Sequence, residues 1–483
     1  MISVRRNLAW MGLSQAGLFV IGFGSSVAMA RLLTPREMGI YAVAAAVVGV
    51  IDTLRMFGLN TLMIREADLS APVVRTIFTT NAALNLLCSM LVLSVSEVGA
   101  RFFGDDGVRS VLHLLALTPL INALEFLPGT QLERSGAFRA IALVNVCKTV
   151  LNTGLTLSLA VAGFSYMSVA WGNLVTTLFS AACINAIGWR FVSLAPGLHD
   201  WRRVARFGLQ MLAISTVAGM TGRLADLMIG RIIGLSALGL YSRAMSLHSL
   251  LWDNLHLVIA RVVFVDLAEQ CRRKLPLTHS YLRIVAILTA LLWPAFTGLA
   301  ILAGPVVTLI YGKDWIGAAA PLSMLSVAGV FYVAITMSHE IYTVTGEMNR
   351  QLKVEFKRNV VGTALFAAGC LAGLAGAAAS RIGDALFTTF LVKDDLKRMT
   401  QTRASDYTPI YLQSAGLTLL ACGPAAVLMT ANGWSEHTSL PAIFAAVLCG
   451  VGAWALGLWR LRHPLYREAV TAGRHLMGLV VSG

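Results

Sequence analysis

The residues of this 483-residue chain with chemistry to offer are charged side chains set inside long apolar runs. Asp52 and Arg55 stand at i,i+3, on one face of a helix, and Arg223 with Asp226 repeats the arrangement. Arg381 and Asp384 do so again. The run 237–263 carries Arg243, Asp253 and Arg261 beside His248 and His256. Glu125 and Lys148 each stand alone in their runs, and Glu340 follows His339. A charge near the centre of a bilayer costs about 2.5–3.5 kcal/mol on insertion scales, so it must face a partner or a water-filled cavity. One reading makes the three spaced pairs structural ion pairs and lets Arg261 and Lys148 snorkel to an interface. The other places a wet, locally cationic cleft between two halves of the chain, holding an anionic substrate. Arginine suits phosphate because its planar fork grips two oxygens at once. Arg243, with no acidic neighbour at helical spacing, favours that second reading. Basic and acidic residues balance within the runs, so the sequence supports separated basic sites in a net-neutral interior.

The elements that position these charges follow from composition. Hydrophobic residues make up 57% and charged residues 13%, against roughly 45–50% and ~25% in soluble domains. Several globular surfaces cannot be coated with so few charges, so the chain is an all-α polytopic membrane protein. Apolar stretches fall near 8–30, 39–63, 76–96, 109–132, 140–162, 166–189, 205–229, 237–263, 282–310, 318–345, 359–375, 377–392, 408–430 and 439–459. At ~20 residues per crossing these predict about 14 transmembrane helices. The stretches at 359–375 and 377–392 form either a tight hairpin or one interrupted span. The N-terminus imitates a secretion signal, with Arg5-Arg6, an apolar run and Ala28-Met29-Ala30. The run from Leu8 to Leu33 is too long for a cleaved segment and reads as a retained first span.

The net charge of +14 belongs to membrane topology before nucleic acid. With the N-terminus inside, loops on that side hold roughly four times as many Lys and Arg as the opposite loops. An even span count then puts both termini in the cytoplasm. The seven cysteines contain no C-x-x-C and mostly sit in apolar runs, where they pack.

An internal repeat is visible at an offset of 200 residues. Residues 30–45, ARLLTPREMGIYAVAA, lie over 230–245, GRIIGLSALGLYSRAM, matching Arg31 to Arg231, Gly39 to Gly239, Tyr41 to Tyr241 and Ala44 to Ala244. Each copy is the turn between the first two helices of a half. An even number of spans separates the copies, so the halves are parallel repeats. The predicted organisation is a six-helix lobe over 1–198, a second over 199–400, and two more helices with a cytoplasmic tail over 401–483.

Other motifs fail. His339-Glu340 opens like a zinc helix, but position 343 is Thr. Gly22-Phe23-Gly24 and Gly369-x-x-x-Gly373 read as close helix packing. No phosphate-binding loop for a nucleotide is present, so energy comes from a gradient or another protein.

The segment 204–251 resembles the polysaccharide-transporter, or oligosaccharide flippase, family, a branch of the group that includes MATE-type multidrug extruders and the lipid II flippase. Its core is Ala225-Asp226-Leu227-Met228-Ile229-Gly230-Arg231, followed by Ala237-Leu238-Gly239-Leu240-Tyr241-Ser242-Arg243-Ala244. Tyr311-Gly312-Lys313-Asp314-Trp315, leading into Ala319-Ala320-Pro321-Leu322, and the run from Arg31 to Tyr41 also look like the family. The chain departs at Val265-Asp266, where relatives commonly carry a proline after the residue matching Phe264. The resemblance implies two six-helix lobes around a V-shaped cavity and two added C-terminal spans. It implies movement of undecaprenyl-diphosphate-linked oligosaccharide across a bacterial inner membrane by alternating access, without covalent chemistry. Polysaccharide polymerase and co-polymerase proteins are the expected partners, and nucleic acid is not. On that reading Arg55, Arg223 and Arg243 contact the diphosphate, and Arg261, Lys148 and Arg381 are further substrate-binding candidates. Asp52, Asp226 and Asp253 orient them or bind a coupling cation, as do the candidates Glu125 and Asp384. No cofactor or metal is expected beyond an Na+ or H+ gradient. An ion-coupled drug extruder is the near alternative, and a membrane-embedded glycan polymerase or ligase the distant one.

Overall fold

The computed structural model describes residues 17, 20–55, 57–66, 70–191, 195–252, 257–435 and 438–468, without the side chains of 213–221, 257–263 and 265. Helices are the regular structure throughout the described residues, and no strand occurs among them. Two compact units divide the chain, Met1–Gly239 and Leu240–Gly483. The first contains α1 (Val20–Leu32), α2 (Pro35–Asp52), α3 (Leu59–Arg65), α4 (Ala71–Phe103), α5 (Asp106–Leu115), α6 (Leu117–Arg134), α7 (Phe138–Val161), α8 (Met167–Ile187) and α9 (Trp201–Ile232). Helix α10 (Leu235–Leu251) enters the second, which continues with α11 (Leu257–Arg272), α12 (Thr278–Ile301), α13 (Ala303–Ile310), α14 (Ala319–Ala334) and α15 (Ser338–Thr345). Helices α16 (Met348–Leu371), α17 (Gly373–Thr400), α18 (Ala404–Ala431) and α19 (Leu440–Arg460) complete it.

The described part of every apolar stretch lies largely on helix, and nine helical segments among the described residues are long and apolar enough to cross a membrane. Of the others, α9, α16 and α17 carry more charge, and α1, α10 and α11 are shorter. Helix α4, at 33 residues, is about 50 Å long, so its ends extend past a hydrocarbon layer of about 30 Å. The stretches at 359–375 and 377–392 resolve as a tight hairpin, α16 turning into α17. Gly373 makes the turn in the left-handed region (φ +84°), and a Cβ on Gly369 would lie 2.6 Å from the Gly376 carbonyl oxygen. Gly22 and Gly24 do not meet the close-packing expectation: nothing described lies within 4 Å of a Cβ at either.

Helix α2 begins where its sequence says it should. The Thr34 hydroxyl accepts from the Glu37 backbone N–H, Glu37 returns the bond to the Thr34 N–H at 2.7 Å, and Pro35 needs no partner in the first turn. Prolines inside helices have the opposite effect, leaving the carbonyl four residues earlier without its N–H. Two of these carbonyls recruit side chains from neighbouring helices. Pro128 frees Leu124 O, which accepts from Asn185 Nδ2 at 3.2 Å, and Pro294 frees Ala290 O, which accepts from Trp454 Nε1 at 3.0 Å.

The repeat visible in the sequence is realised as a reciprocal contact. A Cβ on Gly39 of α2 would lie 1.8 Å from the Leu235 carbonyl oxygen, and one on Gly239 of α10 would lie 1.9 Å from the Pro35 carbonyl oxygen. The residues the two glycines face, Leu235 and Pro35, therefore correspond to each other in the repeat. Val43 then packs on Gly230, and Phe57 covers Gly208. All seven cysteines are free thiols.

Because backbone cannot retreat as a side-chain tip can, Gly39→Ala or Gly239→Ala should each destabilise the protein by about 2 kcal/mol or more. Gly24→Ala, where no described residue lies within 4 Å of the added Cβ, should be close to neutral. Thermal unfolding in detergent checks this, and a Gly239→Ala protein melting with the wild type would contradict the crossing.

Candidate functional site

In the first unit, two of the charged candidates, Arg55 and Glu125, line one cavity, and a third, Asp52, pairs with Arg55. Arg55 Nη1 pairs with Asp52 Oδ1 at 3.2 Å, and both side chains are partly exposed. Helix α2 ends at Asp52, and a short 3-10 turn over Thr53–Arg55 leads to Gly58, whose left-handed φ of +68° opens α3. This break turns Arg55 and Asn60 onto a cavity of about 550 Å³ walled by α3, α4, α6, α7 and α8. Glu125 and Glu133 reach it from α6, Asn81 from α4 and Asn145 from α7, with Phe126 and Phe138 supplying aromatic surface. Glu125 Oε1 accepts from Ser180 Oγ at 2.9 Å, and Glu133 Oε2 accepts from Asn60 Nδ2 at 3.2 Å. Two polar atoms of the wall have no partner among the described residues, Asn81 Nδ2 and Glu125 Oε2. The Pro128 bend lies between the two glutamates on α6.

The remaining candidates of this unit lie apart. Lys148 is half-buried on α7. Arg223 is exposed on α9, with its Nε 2.6 Å from where a Cβ on Gly49 would stand, so the guanidinium lies over the small-residue face of α2. Asp226 sits one turn further along α9 and is partly buried.

In the second unit two separate clusters form. Arg243 of α10 lies 5.9 Å from the Tyr311 ring centroid and 6.0 Å from that of Trp315, so two motifs far apart in sequence make one cation–aromatic cluster. The second joins Arg381, Asp384, Tyr332, Tyr241 and Phe366. Asp384, 6% exposed, accepts from Tyr332 OH at 2.6 Å, while Arg381 approaches it at 3.9 Å, stacks 4.3 Å from the Phe366 centroid and donates to Tyr241 OH at 3.4 Å. A Cβ on Gly362 would sit 2.6 Å from Asp384 Oδ1, so glycine makes room for the carboxylate. Asp253 and the side chain of Arg261 lie outside the described residues, as does His256. His248 stacks on Phe296 with ring centroids 5.0 Å apart, a packing position. His339 bonds to Gln351, and no group of three His, Cys, Asp or Glu suited to a metal occurs among the described residues.

A network the sequence reading passed over joins the ends of α15, α16 and α17. Asp395 accepts from Tyr342 OH at 2.6 Å and from Arg350 Nε at 2.7 Å, and Arg398 grips Glu347 with both nitrogens, at 2.8 and 2.5 Å. Burial opposes the Asp395 charge, but the bonds from Arg350 and Tyr342 prevail and hold its carboxyl below the usual range. The signal available was two acid–base matches, Arg350 with Asp395 and Glu347 with Arg398, flanking a helical hairpin.

The architecture is shared with membrane transporters. The lipid II flippase MurJ in an inward closed conformation superposes with a TM-score of 0.77 at 12% identity, covering 96% of this chain and all of that one. An inward-facing multidrug resistance MATE family transporter gives 0.57 at 16% identity, over 80% of this chain and 96% of that one. These likenesses define the fold class. The chain belongs to the polysaccharide biosynthesis protein family, whose profile matches residues 28–320. It is 25% identical over 331 residues to the succinoglycan biosynthesis transport protein ExoT of Rhizobium meliloti (strain 1021), covering 68% of this chain and 66% of ExoT. It is 24% identical over 391 residues to the lipopolysaccharide biosynthesis protein WzxC of Escherichia coli (strain K12), covering 77% and 76%.

The two ion pairs should differ in worth. Asp384→Ala removes a buried carboxylate that partners the partly buried Arg381 and the Tyr332 hydroxyl, and should cost about 3 kcal/mol. Asp52→Ala removes a half-exposed partner and should cost less than about 1 kcal/mol. Equal losses of melting temperature in the two variants would contradict this ranking.

Proposed function

We propose that this chain is a flippase that moves polyprenyl-diphosphate-linked oligosaccharide across a bacterial inner membrane by alternating access. The observation that carries the reading is the family match over 28–320 on an all-helical fold shared with a lipid II flippase. The names of its relatives, transport and biosynthesis proteins of succinoglycan and lipopolysaccharide, support the same substrate class. Physically, the diphosphate and sugar hydroxyls cannot enter hydrocarbon unaided, since each unsatisfied polar group costs several kcal/mol. A protein that offers those groups partners while the polyprenyl tail stays in lipid lowers the barrier with no bond made or broken. Enzymatic activity is not part of the proposal.

The full topology proposed is about fourteen spans with both termini cytoplasmic, in two six-helix lobes, 1–198 and 199–400, with 401–483 added. Arg223 is the leading diphosphate contact. It is exposed on α9, whereas Arg55 is paired to Asp52 and Arg243 is packed on Tyr311 and Trp315. Asp226, one turn away, orients it. An Na+ or H+ gradient drives net movement, and a polymerase with its co-polymerase receives the product.

In cells lacking this chain, lipid-linked repeat units should accumulate while surface polysaccharide is lost, and the wild-type gene should restore both. Arg223→Ala at normal membrane abundance should cut export about tenfold, the loss expected for one charge-assisted hydrogen bond, with Arg223→Lys intermediate. Unchanged lipid-linked pools in the deletion strain would contradict the function, and normal export by Arg223→Ala would remove that residue.

A further inference from the structure

The cavity of the first unit is poorly built for phosphate. Two glutamates, Glu125 and Glu133, stand on its wall against one arginine, and that arginine is already paired with Asp52 at 3.2 Å. A diphosphate offers only acceptors and negative charge, and would meet two carboxylates. What the wall does offer is neutral amides from several helices, Asn60, Asn81, Asn122 and Asn145, interleaved with those carboxylates and with Thr130. Asn81 is 9% exposed, its Oδ1 accepts from Asn85 Nδ2 at 3.0 Å, and its Nδ2 has no partner among the described residues. Glu125 Oε2 is the matching acceptor without one. A sugar hydroxyl both donates and accepts, so a polyol satisfies donor and acceptor together where an anion or a plain amine satisfies one kind. Phe126 and Phe138 supply flat apolar surface of the kind on which the C–H faces of a pyranose ring pack. A volume of about 550 Å³ lies in the range of small-molecule sites, enough for a short saccharide.

We infer that this cavity is a saccharide subsite. It takes uncharged sugar rings of the lipid-linked oligosaccharide through Asn81, Asn122, Asn145 and Glu125, and it leaves the diphosphate to be held elsewhere. The inference rests on the translocation reading and adds to it a division of labour: one place reads the sugar, another neutralises the charge. On this reading Asp52 neutralises the one arginine of the wall, and Arg55 is no diphosphate ligand.

The test compares two lipids on purified protein in nanodiscs. One is the lipid-linked oligosaccharide extracted from cells lacking this chain, and the other is bare undecaprenyl diphosphate. Wild-type protein should bind the first more tightly. Asn122→Leu and, independently, Asn145→Leu should each weaken binding of the sugar-bearing lipid about tenfold while leaving the bare lipid unchanged, and Asn122→Gln should recover part of the loss. Unchanged affinity for the sugar-bearing lipid in both leucine variants overturns the subsite and leaves the translocation reading standing. Equal weakening for the two lipids also overturns it, because the cavity would then serve the diphosphate or the fold. Wild-type protein that binds neither lipid overturns the translocation reading, and the subsite with it.

Discussion

Polar groups placed among apolar helices need partners, and that requirement organises this molecule from its proline carbonyls to its cavity. Hydrocarbon offers no hydrogen bonds, so every group freed inside it must be answered by protein or by water. Pro128 and Pro294 free carbonyls that Asn185 and Trp454 answer. Asp384 is answered by Tyr332 and Arg381, with Gly362 clearing the space. Arg243 spends its charge on two aromatic rings. At the wall of the first-unit cavity, Asn81 Nδ2 and Glu125 Oε2 are among the buried polar atoms that have no protein partner among the described residues.

The second constraint is close approach. The reciprocal contact of Gly39 with Leu235 and Gly239 with Pro35 brings two helices within backbone distance at equivalent places in the repeat. Only residues without a Cβ allow it, and the capping box at Thr34 and Glu37 fixes where α2 starts, so the crossing falls at one register. The matched glycines of the two copies thus have one physical reason to be glycine.

Much of this was legible in the sequence because the bilayer imposes a simple code. Apolar length gave the helical class and the apolar stretches, and the offset of 200 residues gave the repeat that the glycines realise. Spaced charges predicted Asp52–Arg55 and Arg381–Asp384 as pairs, since i,i+3 positions share a helix face whatever the tertiary fold. What the sequence withheld was set by contacts between distant segments. Arg243 lacked an acidic neighbour at helical spacing and read as available to substrate, because its partners Tyr311 and Trp315 lie some seventy residues on. Glu125 read as an isolated charge, because the asparagines that share its cavity are neutral and leave no mark in a search for charge. Gly22 and Gly24 read as packing positions from spacing alone, and spacing does not say what stands opposite.

Translocation by the purified chain tests the account most directly. Vesicles are loaded with the host's lipid-linked oligosaccharide, fluorescently labelled on the sugar, and a membrane-impermeant quencher is added outside. Without protein about half the signal, that of the outer leaflet, should be lost; with this chain and an imposed Na+ or H+ gradient, nearly all of it should be. Quenching that stays at the protein-free level under gradients of either ion and either sign would contradict the account.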